Sequence, residues 1–315
     1  MMKVLFVSSG NKGAVSPIIK NQGDALADAG VEMDYFLIRG KGVRGYLRNI
    51  RPLKQYIKEH HYDAVHAHYS LTAFVASLAG IQLLVVSLMG SDVKASRYYK
   101  FIIRIFARLF HWKTIIVKSK DMYHDLGIKT AMIIPNGVNM NRFHPMDKKE
   151  CQERLGWNER KKHILFPANA TRPEKDYELA KAVVEHMANV EIHSYNNTPN
   201  AETPYWYNAA DVVLMTSKWE GSPNAIKEAM ACGCPIVSVD VGDVQERLEG
   251  IDGCYVAKTR EPQEIAGLVA RAIRFKGRTT GRERIIESGL DNRQIARRLI
   301  EIYKNVLHVA DTDRI

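Results

Sequence analysis

ADVVLMTSKWEGSPNAIKEAMACGCPIVSV, residues 210–239, carries a strand, a turn, a helix and a second strand in thirty residues. ADVVLM is a continuous apolar run that ends in the polar loop TSKWEG. Gly221, Ser222, Pro223 and Asn224 read as a turn entering a helix. Ser222 is expected to cap that helix, with Pro223 at the first helical position, where a missing N–H costs nothing. CPIVSV then reads as another buried strand. Two apolar strands joined by a helix make a parallel unit covered on both faces.

The same alternation extends outward. KVLFVS (3–8), VEMDYFLI (31–38), DAVHAH (63–68), LLVVS (83–87), TIIVK (114–118) and AMIIP (131–135) read as buried strands with helical segments between them. Residues 136–160 are polar and turn-rich and interrupt the pattern. HILFPA, VEIHSY, ADVVLM, CPIVSV and GCYVA then resume it. The expected fold class is α/β, with two doubly wound Rossmann-like domains facing a cleft. The expected boundaries are 1–145, a linker at 146–160, and 161–315, with a final helix at 291–310 packing back towards the first domain. A chain of 315 residues has room for two such domains.

Composition is that of a globular protein, 46% hydrophobic and 25% charged. The first residues do not read as a signal peptide, and no run reaches the ~20 apolar residues of a membrane-spanning helix. Cys151, Cys232, Cys234 and Cys254 lack paired spacing and read as reduced thiols of a cytoplasmic protein, Cys232 and Cys234 being small buried residues beside Gly233. The formal net charge of +10 points to an anionic partner.

The chemistry of residues 219–237 lies in two carboxylates. Glu220 precedes the helix and Glu228 stands about one and a half turns inside it. Between them the helix start offers free N–H groups and the positive end of the helix dipole, an anion site. Carboxylates on either side of a bound phosphate suit hydrogen bonds to sugar hydroxyls. Two acids eight apart would, alone, fit a capped amphipathic helix with solvated side chains.

The wider pattern is more specific. Glu220-Gly-x-Pro-x-x-x-x-Glu228-Ala-x-Ala-x-Gly-x-Pro-Ile-Val resembles the donor-binding element of the retaining family 4 glycosyltransferases, which have the two-domain GT-B fold. IIPNGVNMNRFHP resembles that family's signature near the end of the first domain. RPEKDYELA resembles its basic diphosphate loop, and VHAHYS and MGSDV match two landmarks of the first domain. These motifs span most of the chain in the family's order.

The resemblance implies roles. Glu228 would hold the ribose hydroxyls of a UDP- or GDP-linked sugar, and Glu220 the transferred sugar. Arg172 and Lys175 would neutralise the diphosphate as charge-assisted donors. Gly221, Ser222 and Asn224 belong to the same donor-binding turn, and Gly10 and Gly13 would let the backbone approach the donor phosphates or the acceptor. Ser91 and Asp92 would face the cleft from the first domain, together with His68 and Asn136. Neither metal nor cofactor is expected: the leaving diphosphate is stabilised electrostatically, its β-phosphate accepts the acceptor's proton, and the anomeric configuration is retained.

Two positions depart from the family pattern. Ala170 stands where an Arg usually lies five residues before the Lys, and Arg172 stands three before Lys175. Met89 replaces the His that often precedes Gly-Ser-Asp.

Residues 39–58 carry seven basic side chains and residues 94–113 six, with no acid in either. In the second, Arg97, Lys100, Arg104 and Arg108 recur at helical spacing among Phe101, Ile102, Ile105, Phe106, Leu109 and Phe110, with Trp112 near the end. That profile fits a helix in an anionic membrane interface. Nucleic acid is not an expected partner, since no nucleic-acid module is present. The expected function is therefore transfer of a sugar to a lipid-linked or polysaccharide acceptor in surface glycan synthesis, by a metal-independent hexosyltransferase held peripherally on the inner face of the membrane. The alternative is a nucleotide-sugar epimerase of the same architecture, which would need an acid/base pair that the motifs do not supply.

Overall fold

The computed structural model describes residues 1–11, 13–94, 97–195 and 198–312, apart from the side chains of Ser91, Lys94, Arg97 and 309–312. The chain forms two compact units, Met1–Gly137 with Asn292–Ile315, and Val138–Asp291.

The first unit is built on a parallel sheet of β1 (Lys3–Ser9), β2 (Glu32–Ile38), β3 (Ala64–His68), β4 (Leu84–Ser87), β5 (Thr114–Val117) and β6 (Met132–Ile133), in the order β2-β1-β3-β4-β5-β6. β6 keeps only two residues of the run read at 131–135. The apolar runs fill two cores, one on each face. On one face Val4 and Phe6 pack with Ile19 and Leu26 of the helix Pro17–Asp28 and with Ile295, Leu299, Ile302 and Tyr303 of the helix Asn292–Thr312. On the other, Leu5, Val7, Val86 and Val117 pack with Ala73 and Ala76 and with Ile103.

The second unit holds β7 (Lys162–Phe166), β8 (Val190–Ser194), β9 (Val212–Met215), β10 (Ile236–Val239) and β11 (Cys254–Ala257), in the order β11-β10-β9-β7-β8. All pairings are parallel. β7 lies between β8 and β9, so the connections leaving β7 and β9 diverge at their carboxyl ends. That is the switch point at which open α/β sheets bind ligands.

Residues 138–160, read from composition as the end of the first domain and a linker, belong to the second unit. Val138 N donates to Leu290 O at 2.9 Å, and Val138 and Phe143 are buried with Tyr207, Val213 and Met230. Arg282 donates to the carbonyls of Met140 and Phe143, and Arg278 to that of Met146. The helix Lys148–Leu155 packs on the helix Thr203–Ala209. Arg278 and Arg282 thus satisfy backbone carbonyls at residues 140, 143 and 146, and the stretch is packed on the second unit rather than a solvated tether. The four cysteines are free and buried. Among the described residues, no helix is long and apolar enough to cross a membrane.

Candidate active site

The loop after β7 (167–176) and the loop after β9 (216–223) meet at the switch point of the second sheet. Lys175, in the short 3-10 turn Pro173–Lys175, forms an ion pair with Glu220 Oε1. Ser217 Oγ donates to the same oxygen at 2.8 Å. Oε1 is thus held by two donors. Both side chains are mostly enclosed, 17% exposed for Lys175 and 15% for Glu220, so their attraction is screened less than at an open surface.

The two loops are laced together. Thr216 Oγ1 donates to the carbonyls of Lys175 and Asp176, and Lys218 N donates to Glu174 O at 2.9 Å. Arg260 reaches over from the loop after β11: it donates to Thr216 O at 2.6 Å, Ser217 O at 3.1 Å and Asp176 Oδ2 at 2.8 Å. No motif marked Arg260, because its role is to satisfy carbonyls contributed by distant loops. Arg172 does not join Lys175. Its Nε donates to Glu174 Oε1 at 2.8 Å, and its side chain is 55% exposed.

The helix after β9 runs Asn224–Ala231, with Pro223 in the cap position. Ser222 therefore lies one residue too early to cap it, correcting the sequence expectation. Its Oγ instead accepts from Lys227 Nζ at 3.2 Å. Lys227 is buried, and burial pulls its ammonium down to about 8. Asn224 Oδ1 is buried with no hydrogen-bond partner among the described residues. Gly221 is touched by Gly242, at φ +60°, whose added Cβ would lie 2.3 Å from Gly221 O. Only glycine lets the loop after β10 press on the Glu220–Gly221 backbone.

Glu228 sits deeper on the same helix. Its Oε2 accepts from Tyr207 Oη at 2.8 Å, and Tyr195 packs edge-on to Tyr207. Burial pushes the Glu228 carboxyl above its usual range, opposed by the Tyr207 hydrogen bond and by Arg142. Arg142 belongs to the PNGVNMNRFHP segment and donates to Thr203 Oγ1 at 3.0 Å. That segment thus serves the second unit's carboxylate.

The remaining candidates lie in the first unit. Gly10 closes on β2: its N–H donates to Ile38 O at 2.8 Å, and an added Cβ would lie 2.7 Å from Leu37 Cβ. Gly13 adopts φ +89°. Asp92 is buried; its carboxylate accepts from the backbone N–H groups of Ser70 at 3.1 Å, Met89 at 3.0 Å and Gly90 at 3.0 Å. Burial raises its carboxyl to about 6 against those bonds. The Ser91 side chain lies outside the described residues. His68 is buried and stacked on His66 at 4.3 Å, and burial beside Lys118 lowers it to about 3. His66 bridges Tyr303 Oη at 2.7 Å and Ser87 Oγ at 2.8 Å. Asn136 is buried at the end of this unit's chain. The first unit thus brings His68 and Asp92 to the carboxyl end of its sheet as enclosed groups, and the second pairs Lys175 with Glu220 ahead of the helix that carries Glu228.

Residues 163–274 match the family model for glycosyl transferases group 1, and residues 18–142 match that for Glycosyltransferase Family 4. The chain belongs to the family 4, group 1 glycosyltransferases. Over 239 residues it is 24% identical to the Escherichia coli UDP-Gal:alpha-D-GlcNAc-diphosphoundecaprenol alpha-1,3-galactosyltransferase, a match covering 61% of each chain. The chain spans about three-fifths of the length of the curated relatives it matches. Among solved structures, sucrose-phosphate synthase from Thermosynechococcus elongatus superposes with a TM-score of 0.80 at 15% identity, over 98% of this chain and 100% of that one. Anabaena HepE in complex with UDP superposes with a TM-score of 0.73 at 17% identity, over 96% and 100%. At these identities the likeness establishes the fold, which is GT-B.

Proposed function

We propose that this protein is a retaining glycosyltransferase that moves a hexose from a UDP- or GDP-linked sugar to a lipid-linked or polysaccharide acceptor of a surface glycan. The observation that carries the reading is the Lys175–Glu220 pair, held by Ser217 beside the start of the helix that bears Glu228. Glu228 accepts ribose hydroxyls through the oxygen that Tyr207 leaves open. The diphosphate lies at the N–H groups opening Asn224–Ala231, with Lys175 as its cation and the exposed Arg172 as a second donor. Glu220 Oε2 receives a hydroxyl of the transferred sugar. Asn224 Oδ1, buried and unpartnered among the described residues, accepts from a ligand N–H or O–H. Negative charge developing on the leaving diphosphate is met by fixed donors, so no metal is required. The β-phosphate takes the acceptor's proton as the new glycosidic bond forms on the face the diphosphate leaves.

The Escherichia coli relative is described as acting on a diphosphoundecaprenol acceptor, which supports a lipid-linked acceptor here. So does the helix Arg97–Leu109. Tyr98, Phe101, Ile105 and Leu109 form one stripe, exposed by 70, 58, 43 and 63%, with the exposed Arg104 and Arg108 along one edge. Such a stripe suits reversible docking to an anionic membrane from the cytoplasmic side. Only part of the 94–113 segment takes that role. Phe106 and Phe110 pack against the core, and Trp112 is buried, its Nε1 donating to Ser77 Oγ at 2.8 Å.

The test is a transfer assay with UDP- and GDP-sugars against prenyl-diphosphate saccharides, with the product's anomeric configuration read by NMR. An α-linked product from an α-linked donor is expected. An inverted product, or conversion of the nucleotide sugar without an acceptor, would overturn the proposal.

A further inference from the structure

Away from the donor loops, adjacent strands of the second sheet bring three metal-ligating side chains to one point. His163 of β7 is paired in register with Glu191 of β8, and His193 follows two residues later on the same face. His163 Nδ1 lies 2.9 Å from His193 Nε2, and Glu191 Oε2 lies 3.8 Å from the first and 3.9 Å from the second. A triangle with these sides has its centre about 2.1 Å from every corner, within the ~2.0–2.2 Å of zinc bonds to imidazole nitrogen and carboxylate oxygen.

From this geometry we infer that His163, Glu191 and His193 form a divalent transition-metal site, with zinc as the matching ion, that clips the edge strand β8 to β7. The surroundings already orient each ligand. His163 Nε2 lies 3.0 Å from Asn158 O, a carbonyl that can only accept, so Nε2 carries the proton and Nδ1 turns its lone pair to the cluster. The Trp157 indole stacks on the His193 ring at 3.7 Å and 7°. Lys161 Nζ holds Glu191 Oε1 at 2.8 Å and leaves Oε2 to the cluster. Without metal, the His193 Nε2 proton bridges to His163. With metal, that proton moves to His193 Nδ1 and the ion occupies its place, so both imidazoles bind neutral. His163 is fully buried, whereas Glu191 and His193 are partly open, which leaves a side for water as the fourth ligand. Two imidazoles and one carboxylate suit zinc, cobalt or nickel over magnesium or calcium. The benefit is mechanical: among the described residues β8 has a strand on one side only, and a bond across the register fixes it.

The test is titration of chelator-stripped full-length protein with Co²⁺, followed by its visible d–d absorption, and with Zn²⁺, followed by calorimetry and thermal melting. One saturable equivalent and a raised Tm are expected. Each should weaken in Glu191→Gln and be lost in His193→Gln, by more than the ~10–100-fold that follows loss of an outer partner. Circular dichroism establishes that both variants are folded; Glu191→Gln, at a partly open position, carries the test if His193→Gln does not fold. Absence of a saturable site in the wild type, equal binding by the variants, or a thiolate charge-transfer band assigning the ion to the cysteines would each overturn the inference.

Discussion

Tyr207 donates its hydroxyl hydrogen to Glu228 Oε2 at 2.8 Å, from a helix 21 residues earlier in the chain. The bond aims one carboxylate oxygen. It also partly offsets the burial that raises the Glu228 carboxyl. In the window between the usual and the raised value, the folded protein holds more protons than the unfolded one. Stability from this group is therefore full at low pH and is lost as pH climbs through the folded value. Glu228→Gln should raise the Tm of the ligand-free protein at neutral pH, a gain that shrinks as pH falls below the ordinary carboxylate range. Glu228→Ala should weaken nucleoside diphosphate binding by about 1–3 kcal/mol in calorimetry. A Gln variant with lower Tm and unchanged nucleotide affinity would remove Glu228 from the ribose.

Glu220 should behave differently: one oxygen is anchored by Lys175 and Ser217, and the proposed function assigns the other to the transferred sugar. Glu220→Gln should lower kcat more than it weakens binding of the bare nucleotide. Steady-state kinetics beside calorimetry decides this. Equal losses in both would assign Glu220 to the phosphate loop alone.

Transfer should proceed in EDTA. The chelator's expected effect is on stability, through the His163–Glu191–His193 cluster, so Tm should fall and Zn²⁺ should restore it. Activity abolished by EDTA and rescued by Mg²⁺ or Mn²⁺ at constant Tm would place a metal in the chemistry and contradict the electrostatic mechanism.

Membrane docking is best tested on the exposed stripe. Lys100 lies 3.6 Å from Asp125, and Arg104 Nε donates to Leu126 O at 2.7 Å, so reversing those charges would disturb the fold. Phe101→Ser/Leu109→Ser and Arg108→Glu avoid that. Wild type should sediment with anionic vesicles at low salt and less as salt rises, at ~1 kcal/mol per basic residue near the surface. Both variants should bind less. Indifference of the wild type to anionic vesicles would leave the stripe without a membrane role.

Asp92 is expected to stabilise the fold without touching substrate. Its carboxylate accepts three backbone N–H groups in a buried turn. Asp92→Ala should cost about 2–4 kcal/mol in urea unfolding, since buried donors are left unpaired. Lost transfer at unchanged stability would instead place Asp92 in the chemistry.

The sequence alone determined the elements that depend on neighbours in the chain. Continuous apolar runs marked β1 to β11, and the turn at residues 220–224 with the helix after it was legible from spacing and turn chemistry. Glu220 and Glu228 could be named for the same reason, and Lys175 through the resemblance of RPEKDYELA to the family's basic loop. The tertiary structure alone decided what those residues meet. Lys175 reaches Glu220 because β7 and β9 are neighbours, an order that spacing does not encode. Ser222 turned from cap to partner of Lys227 through a shift of one residue in the helix start. Residues 138–146 joined the second unit because Val138 and Phe143 find their burial there, and arginines from residues 278–282 satisfy their backbone. Tyr207, Arg260 and the His163–His193 pair stayed invisible, since periodicity is a local property whereas hydrogen bonds and metal geometry are set by which strands stand side by side.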